Sequence, residues 1–85
     1  MKSFQYTIKD ELGIHARPAG ALVKIAKASG SSMTMTKGEK TVDVSRLMAL
    51  MGLGVKCGDE ITVTAEGGDE DAAIAEVKKF VEENL

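Results

Sequence analysis

The sequence predicts an α+β fold of two layers, with three helices on one face of a four-stranded antiparallel sheet. Three observations carry this expectation. Four short stretches alternate apolar residues with polar ones such as Thr and Gln, the period of a half-buried strand. Three others repeat apolar residues at steps of three and four, the spacing of an amphipathic helix. Turn-forming breaks set them in the order β-α-β-β-α-β-α, which suits helices layered on a sheet whose other face stays in water.

The elements follow in order. Phe4, Tyr6 and Ile8 alternate with Gln5 and Thr7, giving the first strand, and Lys9 to Gly13 reads as a loop. Ala16 to Ala28 is the first helix, with Ala19, Leu22, Val23 and Ala26 at helical spacing, ended by Ser29-Gly30-Ser31-Ser32. Met33 and Met35 alternate with Thr34 and Thr36. A turn at Lys37-Gly38-Glu39-Lys40 leads into a third strand over Thr41 to Val44, so the pair reads as a hairpin. Leu47 to Leu53 is a short helix stopped by Gly52 and Gly54, after which Lys56 to Asp59 turns the chain. Ile61, Val63 and Ala65 alternate with Thr62 and Thr64 in the fourth strand. Gly67-Gly68 breaks that strand, and Asp69 is placed to cap a last helix. Its core stripe is Ile74, Val77 and Val81, with Phe80 beside it. The polar strand faces are mostly Thr, Gln and Lys.

Eighty-five residues are expected to make one domain, 1–85, since two cores would not fit. A chain of this size buries roughly 60–65% of its unfolded surface, enough for one modest core. No run of about 18 apolar residues is present, so no membrane span is expected. The opening MKSFQYTIKD lacks the apolar stretch of a secretory signal. The single Cys57 has no disulfide partner and no metal-ligand company, and a reducing cytoplasm is the simplest setting. Residues 1–56 hold nine of the eleven basic and four of the thirteen acidic residues, a balance of +5, and residues 57–85 balance to −7. Such asymmetry can steer a partner, although a mixed solvated surface is the plainer account. Nucleic acid is not an expected partner, because only Phe4, Tyr6 and Phe80 are aromatic and Lys and Arg form no dense cluster.

Chemistry concentrates in Gly13 to Gly20, GIHARPAG, which holds the only histidine and the only proline. Pro18 is tolerated in a first helical turn, where its missing N–H would have no intrahelical partner. The helix is therefore expected to begin at Ala16, with His15 at or beside the N-cap. The backbone amides of Ala16 and Arg17 then point outward, and amides and dipole together favour an anion there. Arg17 adds a permanent cation with donors suited to phosphate. Positive surroundings favour an uncharged imidazole, whose lone pair can attack phosphorus. The same surroundings would hold the product. On the residues alone, the plainer account is His15 as a polar cap, Arg17 as a solvated side chain and Pro18 as a helix starter. Metal binding lacks a second ligand at suitable spacing, no cofactor is implied, and a Ser-His-Asp triad lacks a nominated nucleophile.

A second surface follows from Leu47-Met48-Ala49-Leu50-Met51-Gly52-Leu53. Its large apolar residues point around most of the helix and cannot all face one core. Leu50 and Leu53 are the core candidates, and Leu47, Met48 and Met51 the docking candidates, Met being suited to partners of different shape. The alternative is a helix buried more fully than usual. Arg17, Lys24 and Lys27 lie along one side of the first helix, and Arg46 joins them if the two helices are neighbours. A basic rim round an apolar patch would recruit partners with acidic grooves.

Gly13-Ile14-His15-Ala16-Arg17-Pro18-Ala19 resembles the active-site signature of HPr, the histidine-containing phosphocarrier family of the bacterial phosphoenolpyruvate-dependent sugar phosphotransferase system. The resemblance extends over the whole chain in length, element order and motif position. It implies an open-faced β-sandwich of four antiparallel strands and three helices. It further implies that His15, through the δ1 nitrogen, accepts a phosphoryl group from phosphorylated enzyme I and passes it to enzyme IIA units of sugar permeases. Arg17 would help stabilise the phosphohistidine, and the carrier has no turnover of its own. The resemblance also supports docking through Leu47, Met48 and Met51.

One departure stands out. Many family members from Gram-positive bacteria carry a regulatory serine after a basic residue, where an HPr kinase acts. Here the pair is Ser45-Arg46, with the order inverted and Arg46 at the regulatory position. Ser45 is expected to cap the second helix through its hydroxyl. Its phosphorylation, and contact with an HPr kinase or a transcriptional regulator, are correspondingly doubtful. The competing readings are a carrier of a regulatory or nitrogen-type branch, a docking module that carries no phosphate, and a small-ligand domain with a deep apolar pocket.

Overall fold

Alternation in the four strands becomes a sheet with one buried and one open face. The computed structural model describes residues 1–85. Strands β1 (Lys2–Thr7), β2 (Ser32–Lys37), β3 (Lys40–Asp43) and β4 (Glu60–Glu66) pair antiparallel in the order β1-β4-β2-β3. Helices α1 (Ala16–Ser29), α2 (Leu47–Gly52) and α3 (Glu70–Asn84) complete the expected chain order.

The registers explain the faces. Phe4 pairs with Val63, Val63 with Met35, and Met35 with Val42, so one apolar row crosses all four strands. Met33, Met35, Ile61, Val63 and Ala65 of the two central strands are buried. Phe4 and Tyr6 on one edge and Val42 on the other are partly buried. On the opposite face Thr62 pairs with Gln5 and Thr36, and Thr34 with Thr64. Thr36 and Thr41 share a hydrogen bond between their hydroxyls at 2.9 Å. This is the open face that the polar alternation calls for.

Eighteen buried residues make one cluster between sheet and helices. Helix α1 contributes Ala19, Leu22 and Ala26, with Pro18 also buried in its first turn. It ends at Gly30, whose φ of 74° is the left-handed conformation glycine adopts without strain. Helix α3 starts as expected, with the Asp69 carboxylate accepting from the Ala72 amide at 3.2 Å. Removing the Leu22 side chain from this fully buried position is expected to cost about 3 kcal/mol. Urea unfolding of Leu22→Ala at neutral pH measures that loss.

Several local expectations are corrected. The core stripe of α3 is Ala73, Val77 and Val81, whereas Ile74 is only partly buried beside it. At about 100° per residue that stripe is centred on Val77, and Ile74 lies about 60° to one side of it. Val23 is likewise only partly buried. The hairpin is tighter than expected, because Lys37 pairs with Lys40 and only Gly38-Glu39 turns, with Gly38 at φ 60°. Helix α2 stops at Gly52, and the left-handed residue behind it is Gly54 alone. Lys37 belongs to the inward row of β2 rather than to the turn, since it follows Met33 and Met35 at period two.

Candidate functional site

The loop that delivers His15 is tied down at each step. The Asp10 carboxylate accepts the Leu12 amide at 2.8 Å, and the Asp10 carbonyl accepts the Gly13 amide at 2.9 Å. Ile14 is buried and donates its N–H to the Val55 carbonyl at 3.2 Å. Gly13 has φ 64° and lies so close to the Val55–Lys56 backbone that a β-carbon there would stand 2.3 Å from the Val55 oxygen. Only glycine permits this approach.

His15 is the N-cap of α1, with φ −106° and ψ −174°, and its side chain makes no capping bond. The polar-cap reading of the ring is therefore corrected. The imidazole is half-buried and neither of its nitrogens is sealed in the interior. The first bond of the helix runs from Ala19 N–H to the His15 carbonyl at 2.9 Å. The amides of Ala16 and Arg17 thus have no intrahelical partner, and Pro18 has no N–H to satisfy. Arg17 is exposed. The three ion pairs of the molecule, Met1 amine–Glu70, Lys2–Asp71 and Lys37–Asp59, leave its guanidinium free. An imidazole without a capping bond, two amides without an intrahelical partner and a guanidinium in no ion pair thus belong to three consecutive residues, His15, Ala16 and Arg17, at one helix start, where an anion would be favoured.

The second surface takes the expected shape. Leu50 and Leu53 are buried, while Leu47, Met48 and Met51 are 40%, 80% and 39% exposed. Helices α1 and α2 pack as neighbours. Lys24, Lys27 and Arg46 are exposed and, like Arg17, absent from the ion pairs.

Ser45 departs from expectation. Its hydroxyl donates to the Asp43 carboxylate at 2.7 Å and its amide to the same oxygen at 2.9 Å, whereas Arg46 is the N-cap of α2 and forms no side-chain cap bond. Ser45 stands one residue before the N-cap, and its hydroxyl turns back to donate to an acceptor two residues upstream instead of accepting from the helix amides. A phosphate on Ser45 would face the Asp43 carboxylate, a repulsive neighbour. The Ser45 hydroxyl, then its amide, then the charge of Arg46 hold the Asp43 carboxyl below its ordinary value of 3.8. A depressed carboxyl stabilises the fold above its unfolded value and loses that contribution as pH falls through the folded one. Ser45→Ala is therefore expected to be less stable than the parent at neutral pH, the gap closing as pH falls below 3.8 and through the lowered folded value. Urea unfolding of both proteins across that range measures it.

Sequence reasoning passed over three contributors. Leu12 is 71% exposed three residues before His15, an apolar side chain in a polar loop. Val55 supplies the carbonyl under Ile14, and Lys37 reaches the Gly54 carbonyl at 2.8 Å. Only Leu12 and Lys37 carried a signal, each breaking the polarity of its surroundings. Cys57 is exposed and free. No group of three His, Cys, Asp or Glu side chains is placed to hold a metal, and no helix is long and apolar enough to cross a membrane.

Comparison with known proteins adds a family. Residues 2–83 match the model of the family described as the PTS HPr component phosphorylation site. The phosphocarrier protein HPr of Mycoplasma capricolum subsp. capricolum is 39% identical over 79 residues, 93% of this chain and 89% of that protein. The HPr of Lysinibacillus sphaericus is 42% identical over 73 residues, 86% of this chain and 83% of its own. A solved Mycoplasma histidine-containing phosphocarrier protein superimposes with a TM-score of 0.93 at 36% identity, covering 96% and 93% of the two chains. Crh of Bacillus subtilis, a catabolite-repression relative crystallised as a swapped dimer, has a TM-score of 0.78 at 32% identity over 94% and 92%.

Proposed function

The chain belongs to the HPr phosphocarrier family of the phosphotransferase system, and from that premise we propose that His15 takes a phosphoryl group from phosphorylated enzyme I and gives it to enzyme IIA units of sugar permeases. The lone pair of the neutral δ1 nitrogen attacks phosphorus, a P–N bond forms, and the bond from phosphorus to the donor breaks with its electron pair leaving on the donor. At the acceptor the same exchange runs the other way and regenerates the imidazole. No net electron transfer occurs. Ala16 and Arg17 amides and the Arg17 guanidinium meet the charge of the phosphoryl group as it arrives. Because these groups are exposed, the phosphate is stabilised without being enclosed, as release to an acceptor requires.

The observation that carries the reading is the His15 ring at the N-cap, half-buried and free of any capping bond, with Ala16 and exposed Arg17 next in the chain. Leu47, Met48 and Met51, rimmed by Lys24, Lys27 and Arg46, supply the docking surface for enzyme I and enzyme IIA. A relay assay tests it. Enzyme I, phosphoenolpyruvate and an enzyme IIA are mixed with catalytic amounts of this protein. Labelled enzyme IIA accumulates if the proposal holds. Labelling no faster than in its absence rules the proposal out.

The regulatory relative Crh favours a second reading, a docking module for a regulator. The presence of His15 with Arg17 speaks for the carrier. A regulatory or nitrogen-type branch would use the same site with different partners, so substituting enzyme IIA units of each branch in the relay separates the two.

A further inference from the structure

In β2 the apolar alternation Met33, Met35 ends on a charge, Lys37, at the next inward position. The lysine leaves the core at the end of the row, half-buried, and its ammonium finds two partners. It donates to the Gly54 carbonyl at 2.8 Å and pairs with the Asp59 carboxylate at 3.1 Å. The same Asp59 oxygen accepts the Lys56 amide at 2.8 Å. The ends of the 54–59 loop are thereby held on one cation. Asp59 and Gly58 also exchange backbone bonds with Ile8, at 2.9 and 2.8 Å.

Between those ends lies buried Val55, whose carbonyl accepts the Ile14 amide and whose backbone fills the space beside Gly13. The contacts therefore run from Lys37 through Gly54 and Val55 to Ile14, the residue before His15. The loop also begins where α2 ends, and the Gly54 amide donates back to the Met51 carbonyl at 3.2 Å. One ammonium thus ties the floor of the His15 loop to the last turn of the docking helix.

We propose that Lys37 and Asp59 are positioning residues for His15, clamping the 54–59 loop so that the imidazole is presented at a fixed place beside the Ala16 and Arg17 amides. The proposal rests on His15 being the phosphoryl acceptor. The pair acts through backbone and touches no substrate. The Lys56 N–H and Lys37 hold the Asp59 carboxyl below its ordinary value, as expected of a carboxylate that accepts both.

Lys37→Met and Asp59→Asn test this with two readouts. One is hydrogen exchange of the Ile14 amide, with the Val63 amide of central β4 as the internal control. The other is the rate at which His15 takes a phosphoryl group from phosphoramidate, a small donor that needs no docking surface. Each variant is expected to speed Ile14 exchange about fivefold and slow phosphorylation by a similar factor, the loss for a half-exposed charged hydrogen bond, while Val63 stays unchanged. Lys37→Arg should recover most of both. The proposal is overturned if Ile14 exchange and phosphorylation are unaffected in both variants, if only one of the two readouts moves, or if Val63 exchange rises with Ile14, which would mean general destabilisation. Failure of the parent protein to accept phosphate would instead count against the acceptor role, which the Ile14 readout does not need.

Discussion

His15→Ala is expected to accept no phosphoryl group from enzyme I while unfolding at nearly the parent's denaturant concentration. The two halves of this result have separate causes. The imidazole is the only nitrogen nucleophile at the helix start, and deleting a nucleophile drops transfer to background, on the order of a thousandfold or more. The ring makes no capping bond and neither of its nitrogens is sealed in the interior, so its loss removes little that holds the fold. Partial burial of the ring limits the stability change to about 0.5 kcal/mol. Labelling with phosphoenolpyruvate and enzyme I gives the first half and urea unfolding the second. A variant that also unfolds would mean that His15 is structural.

A stability loss as large as that of Leu22→Ala is expected at Gly13. Alanine there places its β-carbon 2.3 Å from the Val55 oxygen and 2.7 Å from the Lys56 α-carbon, in a residue at φ 64°. Both obstacles are backbone, so no side chain can swing aside. The left-handed conformation and the overlap together are expected to cost about 3 kcal/mol. Gly30→Ala is the control, since its φ of 74° carries the conformational cost but its β-carbon would meet open space. That variant should lose only about 1 kcal/mol. If Gly13→Ala is no worse than Gly30→Ala in urea unfolding, the close approach of the His15 loop to Val55 is wrong. Gly13→Ala should also phosphorylate more slowly even where it is folded, because the loop must shift to make room.

The architecture was legible because local and global preferences agree. Period two in Phe4 to Thr7 and Ile61 to Ala65 can bury only one face, and the registers place both apolar rows on it. The helix start was legible from Pro18, which fits only the first turn, and the histidine before it. The exposed apolar residues of α2 were legible from excess: a six-residue helix bearing Leu47, Met48, Leu50 and Met51 cannot bury them all. What escaped depends on contacts distant in sequence. Nothing near Ser45 says that its hydroxyl donates to Asp43 instead of accepting from the helix amides, because both partners lie within reach of a short side chain. Nothing near Gly13 says that Val55 sits against it. Lys37 was read as part of the turn because a charge next to Gly38 looks like the end of a strand, whereas here it continues the inward row of β2 and answers the Gly54 carbonyl and the Asp59 carboxylate, both distant in sequence.

The most direct measurement is the chemistry of the label itself. Incubated with enzyme I and labelled phosphoenolpyruvate, the protein should take up one phosphoryl group that is lost in acid, survives base and maps by mass spectrometry to His15. An acid-stable label, a label mapped to any other residue, or no uptake at all would contradict the assignment of His15 as the phosphoryl acceptor.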